Sequence, residues 1–283
     1  MKQIPIFYTP KMVSESGCIS PSASKPLLVM ESWKALGLPL EVIEPSAVSV
    51  QDLCLAHDRT HVQEILKGSK ENGFGNKSKE VAASLAYTSG SMLSASLHAL
   101  KNKKVAVAPC SGFHHAEWKK SQGFCTFNGL MVTALSLKER GLASRVGILD
   151  LDQHYGNGTD NIIERLGIDW ITHYTPGRYG FKPSDAPWFL EEIKLLIGQM
   201  SDCDIILYQA GGDMHIEDPF GGWMTTEQLY KRDREVFRSA RDCKVPIVWN
   251  LAGGYQTPIR KVMDIHDNTM RACAEMYLDQ ETP

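Results

Sequence analysis

No two of the seven cysteines form a CxxC pair, and an odd number cannot all be paired. That argues against a framework of structural disulfides and for a reducing cytoplasm. A strong charge of one sign is also missing, since 30 Lys and Arg against 33 Asp and Glu leave a formal net charge of −3. The densest basic stretches, Lys101, Lys103 and Lys104, then Lys119 and Lys120, are too small for a nucleic-acid footprint and read as solvated faces. The opening residues, Met1 to Tyr8, lack the apolar core of a signal peptide, and no later apolar run approaches membrane-spanning length. The expectation is a cytoplasmic protein with neither a membrane nor a nucleic-acid partner. No repeat or low-complexity tract interrupts the chain, and the stretch Glu71 to Asn76 is too short to separate two cores. With 43% hydrophobic residues, 283 residues can bury one substantial core, so a single domain over 1–283 is expected.

Short β-branched runs recur at Ile4–Tyr8, Leu40–Ile43, Val105–Ala108, Val146–Leu149, Ile168–Thr172, Ile205–Gln209 and Ile247–Leu251. Between them lie helical patterns over Lys25–Leu36, Ser78–Leu100, Asn128–Arg140, Asp160–Leu166, Pro187–Met200, Thr226–Arg241 and Pro258–Tyr277. This alternation predicts an α/β fold with a largely parallel sheet and helices on both faces. The stretch Thr175 to Pro187, rich in Gly and Pro, predicts an irregular loop at the active edge of that sheet.

The residues that carry chemistry follow the predicted strands. Asp150, Asp152 and His154 close the run Val146–Leu149, and alternate side chains of an extended chain share a face. Taken alone, this triplet reads more readily as a capped strand end with incidental charges than as a metal site. Two adjacent histidines, His114 and His115, follow the run ending at Ala108, although a histidine pair is more often structural than catalytic. Gly211-Gly212-Asp213 and Gly253-Gly254-Tyr255 follow two further runs, where glycine lets backbones approach closely. Open parallel sheets keep their sites at such strand ends, so the groups converge. Asp152, His154 and Asp213 would leave metal positions open for water and substrate, as a catalytic zinc site requires.

Together these segments resemble the histone deacetylase family, with its bacterial deacetylase-like and acetylpolyamine amidohydrolase relatives. The matching motifs are Ser111 to Ala116, Gly123 to Asn128, Asp150 to Thr159, Gly211 to Gly222 and Gly253 to Tyr255, in family order. The resemblance implies an arginase/deacetylase-like α/β fold and one Zn2+, a place that Fe2+ can also take. It implies Asp152, His154 and Asp213 as zinc ligands and Tyr255 as donor to the substrate carbonyl. His115 matches the general base and acid, His114 its electrostatic support, Asp150 the group orienting His114, and Asn157 the group orienting His115. Gly123 and Phe124 match the wall of an acyl-lysine channel, Phe220 a rim or wall position, and Tyr179 stands where the family has a wall phenylalanine. The backbone from Asp150 to His154 also offers a place for a monovalent cation such as K+ beneath the zinc loop.

Amide hydrolysis asks for these same parts, because it needs an activated water, an oxyanion donor and a proton for the leaving amine. The expected substrate is an acylated amine of acetyl-lysine or acetylpolyamine type. Glu117 and Glu217 lie near the active-face motifs, either as attractors of a cationic substrate or as solvated acids. Two rivals stand beside this reading, an arginase-like two-manganese ureohydrolase and a non-catalytic acyl-amine binding protein. The first would want an acid soon after His154, where the chain has Tyr155 and Gly156. Two segments depart from the family pattern. Ser20 to Pro26 replaces a segment ending in arginine, and His61 takes an aromatic position in His57-Asp58-Arg59-Thr60-His61.

Overall fold

The computed structural model describes residues 1–279. Seven strands, β1 (Ile4–Phe7), β2 (Leu40–Ile43), β3 (Val105–Ala108), β4 (Val146–Asp150), β5 (Ile171–Tyr174), β6 (Ile205–Gly211) and β7 (Ile247–Ala252), form one sheet in the order β2-β1-β3-β7-β6-β4-β5. Every pairing is parallel. Nine helices cover it among the described residues: α1 (Lys25–Lys34), α2 (Val50–Ala56), α3 (Arg59–Lys67), α4 (Lys79–Asn102), α5 (Gly129–Glu139), α6 (Asn157–Leu166), α7 (Ala186–Gly198), α8 (Thr226–Asp242) and α9 (Arg260–Tyr277).

The period-two geometry of a strand sends alternate side chains to opposite faces, and here each face has its own core. Val105 and Val107, Ile206 and Tyr208, and Ile247, Trp249 and Leu251 point towards α1, α7, α8 and α9. Ala106 and Ala108, Ile205 and Leu207, and Val248 point towards α2 to α6. Trp33 of α1 meets Trp249 edge-on at 5.5 Å in the first core. Each such buried side chain contributes roughly 1.5–3 kcal/mol. All seven cysteines are free, and no helix among the described residues is long and apolar enough to cross a membrane.

Two expectations need correction. The fifth strand runs Ile171–Tyr174, not Ile168–Thr172, because Ile168 belongs to the end of α6. There Gly167 is left-handed, and the N–H groups of Gly167 and Ile168 donate to Glu164 O and Ile163 O, a Schellman closure. The stretch from Thr175 to Pro187 also holds two 3-10 turns, Pro176–Arg178 and Pro183–Asp185, each opened by its proline. Helices α2 and α3 add to the predicted set. Ser49 and Asp52 form a capping box at the start of α2, and Asp58 caps α3 by accepting from the N–H groups of Thr60 and His61.

Candidate active site

The four central strands are in register where β3 and β4 end, and β6 and β7 run two residues further. Asp150 of β4 is in register with Gln209 of β6, Gln209 with Asn250 of β7, and Asn250 with Ala108 of β3. Chain segments leaving all four therefore emerge within two residues of one another in register, on the carboxyl side where open parallel sheets place their sites.

Beyond β4 the carboxylates organise their own backbone. The N–H of Asp152 and the Gln209 amide both donate to Asp150 Oδ1, at 3.2 and 2.9 Å. The N–H of His154 donates to Asp152 Oδ1 at 2.9 Å, and that of Gln153 to Asp213 Oδ1 at 3.1 Å. His154 Nδ1 is left 3.1 Å from Asp152 Oδ1 and 3.0 Å from Asp213 Oδ2. A tetrahedral ion with bonds of about 2.0–2.1 Å holds its donors about 3.3 Å apart, so this trio fits one zinc-sized cation. Without a cation, hydrogen bonds to Asp152 and Asp213 push the His154 imidazole up to about 11, and burial beside Asp152 pushes Asp213 up to about 7. Both shifts express the same thing: two buried carboxylates hold positive charge between them. Gly253, at φ 44°, packs directly on the Asp213 carboxylate, where any Cβ would overlap it.

The two adjacent histidines face different acceptors. His114 is buried, and its Nδ1–H donates to Asp150 Oδ2 at 2.7 Å. Burial works against its charge, yet Asp150 and Asp152 hold it up at about 9. His115 donates from Nδ1 to the amide oxygen of Asn157 at 2.6 Å, and burial plus the His114 charge lower it to about 4. Near neutral pH one imidazole is charged and its neighbour neutral, with ring centres 4.0 Å apart.

Tyr255 follows two left-handed glycines, and its N–H donates to Asp218 Oδ2 at 2.8 Å. Burial and the charges of Asp152 and Asp213 raise its phenol far above the usual tyrosine range, so it remains a proton donor. Its ring lies edge-on to Phe220 at 4.7 Å and 5.9 Å from Phe124, and Phe124 in turn lies 6.5 Å from Phe74. His114, His115, Gly123, Phe124, Asp152, His154 and Tyr255 all line one cavity of about 20 Å3, room for roughly one water. Gly123 is needed there because a Cβ would strike the His115 ring. Tyr179 is placed elsewhere. It is 56% exposed and stacks on Phe181 at 5.7 Å, in a group of rings that includes Trp188 and Trp223.

Several functional neighbours had little signal in the sequence. Lys25, in the divergent N-terminal segment, is fully buried and donates from Nζ to Ser111 Oγ at 3.2 Å and to Gly253 O. Burial lowers it to about 8 against the pull of Asp213, Asp152 and Asp218. It thus puts a cation under the metal-side carboxylates, where the family pattern has an arginine. His57 joins both ends of the Glu117–Asn128 loop, with Nδ1–H donating to Glu117 O at 2.9 Å and Nε2 accepting from Asn128 N–H at 2.8 Å. His61 packs on His57 and Phe127, so its difference from the family position is one of packing. Glu217 pairs with Lys261 on the surface, while Glu117 turns inward.

A family model described as the histone deacetylase domain matches residues 22–168 and 176–272. An uncharacterized protein of Picosynechococcus is 28% identical over 265 residues, covering 84% of this chain and 87% of its own. Histone deacetylase 2 of Arabidopsis thaliana is 28% identical over 183 residues, 56% of this chain; the match spans 47% of that relative, about half its length. Among solved structures, the acetylpolyamine aminohydrolase from Burkholderia pseudomallei superposes with a TM-score of 0.74 at 15% identity, covering 97% of this chain and 99% of the other. The HDA15 HD domain gives 0.78 at 18%, covering 99% and 90%. These two likenesses show the fold, the parallel arginase/deacetylase-like sheet with helices on both faces.

Proposed function

Since the chain belongs to the histone deacetylase family, we propose that it is a zinc-dependent amidohydrolase that removes an acetyl or other short acyl group from a lysine-like or polyamine-like amine. One observation carries the reading: His154 Nδ1 lies 3.0–3.1 Å from the Asp152 and Asp213 carboxylates, all three donors fall within 4.8 Å of one another, and they share a site with a split histidine pair and a protonated phenol. Asp152, His154 and Asp213 would hold the ion, and Fe2+ suits the same set. Bound there, zinc supplies Lewis acidity and lowers the pKa of water.

The remaining steps belong to side chains. His115, neutral and protonated on Nδ1, has its lone pair on Nε2 and can take the proton of the attacking water, then return it to the departing amine. His114, charged and held by Asp150, stabilises negative charge developing nearby. The Tyr255 hydroxyl donates to the carbonyl oxygen as it becomes an oxyanion. Phe124 and Phe220 flank Tyr255 and supply apolar surface for the methylene stem of the amine.

A two-manganese ureohydrolase would need a second set of acids, and among the described residues the single three-residue metal cluster is this one. Tyr155, where that reading wants an acid, instead donates its hydroxyl to Asp160. A binding protein without catalysis would have no use for the split histidines.

Wild-type protein should contain about one zinc per chain and hydrolyse an acetylated lysine peptide or acetylpolyamine. Asp213→Ala should lose both metal and activity together. Full zinc retention in that variant would contradict the ligand set.

A further inference from the structure

We propose that Glu117 is a positioning residue that selects the reactive tautomer of His115 by fixing the orientation of the Asn157 side-chain amide. The proposal rests on the reading of His115 as proton carrier. Asn157 can present either end of its amide to His115, and nothing in its own shape decides which. Its oxygen faces the imidazole Nδ1 at 2.6 Å, while its Nδ2 donates to Glu117 Oε1 at 3.0 Å. An ionised carboxylate accepts and does not donate, so Glu117 admits only the NH2 end and turns the oxygen towards His115.

The same Glu117 oxygen also accepts from Gln122 Nε2 at 2.7 Å, and that nitrogen lies 3.2 Å from the backbone oxygen of His115. The bonds thus form a closed ring, His115 to Asn157 to Glu117 to Gln122 and back to His115. Glu117 is half-buried, and its own backbone is tied down, its N–H donating to Lys120 O and its carbonyl accepting from His57. A carboxylate is thereby linked to the imidazole through a neutral amide. It sets the proton on Nδ1 and leaves the lone pair on Nε2, without putting a full negative charge against the ring.

With the amide reversed, two donors would meet, and His115 would have to move its proton to Nε2 to accept from Asn157. The base would then point its lone pair away from the reaction. Glu117→Ala should lower kcat about tenfold, the scale of losing a partner of an active-site group, with KM and bound zinc little changed. Glu117→Gln keeps an acceptor oxygen for Asn157 and should recover most of the loss.

The deciding comparison uses Asn157→Asp, in which a carboxylate accepts from Nδ1 in either orientation and is repelled by Glu117. In that background Glu117→Ala should be neutral or should raise kcat. An equal loss in both backgrounds would mean that Glu117 supports only the loop, and no loss in the natural background would also overturn the proposal. Nitrogen NMR of the metal-free protein reads the tautomer without any turnover. Nδ1–H on His115 should dominate in the wild type and give way to a mixture in Glu117→Ala; an unchanged tautomer overturns the proposal. If no acylated amine is hydrolysed by the wild type, the proposed reaction fails while this NMR result still decides the role of Glu117.

Discussion

Two histidines adjacent in sequence differ in charge: burial and the neighbouring His114 hold His115 down, while Asp150 and Asp152 outweigh burial and hold His114 up. Asp150 holds the proton on His114, and Asn157 offers His115 a dipole where a carboxylate would offer a charge. The difference was legible, since the motifs named both partners and the structure brings both into contact. The convergence of Asp152, His154, Asp213 and Tyr255 was legible for the same reason: each follows a strong strand signal, and parallel strands deliver such residues to one edge. Lys25 and Glu117 were not, because a buried lysine and an inward glutamate look like surface residues until distant partners, Ser111 and Gly253 for the one and Asn157 for the other, are known. Tyr179 meets Phe181, in the ring group with Trp188 and Trp223. At this scale Tyr255 gives the sharpest test. Tyr255→Phe should cut kcat on the order of a hundredfold with zinc retained, as loss of one oxyanion donor does. Turnover near the natural level, measured on the zinc-loaded variant, would remove the phenol from the reaction.

At the scale of elements, the long helices and the buried central strands were read almost to the residue, since their apolar patterns run without interruption. The errors fall where local capping competes with that pattern. Ile168 looked like the start of a strand and is the hydrophobic residue closing α6; α2 and α3, of 7 and 9 residues, are too short for a helical period to emerge. One side chain then ties several elements beside the site. Asp160 of α6 accepts from Tyr155 in the metal loop, His173 in β5 and Arg178 in the Pro-Gly loop. Burial raises this carboxyl, but His173, Tyr155 and Arg178 outweigh it and hold it down at about 2 against an ordinary 3.8. A depressed acid stabilises the fold fully above its unfolded value and loses that contribution as pH falls through the folded one. The advantage of the metal-free wild type over Asp160→Asn in urea unfolding should therefore be greatest above about pH 4 and fade towards pH 2. An advantage independent of pH would mean that the ionised form is not what matters.

For the whole molecule, the narrow cavity and its aromatic neighbours set the shape of what can be accepted. Phe124 adjoins Phe74 and Tyr255, and Tyr255 adjoins Phe220, so under the proposed function a long linear amine would pass these rings while a compact acyl amide would not. Phe124→Ala should raise KM for acetyl-lysine peptides and acetylpolyamines more than for small acyl amides. Equal effects on both would assign Phe124 to packing alone.

The strand order has a consequence for how the chain is assembled. β7 is the last strand in sequence, yet it lies at the centre, with β3 on one side and β6 on the other. Without residues 247–252 the sheet order divides into β2-β1-β3 and β6-β4-β5, with the edges of β3 and β6 unpaired. Such edges invite pairing with other chains, and contacts this distant in sequence form slowly. Tyr255 comes three residues after the strand that joins the halves, so the proposed proton donor depends on the same stretch of chain as the bridge.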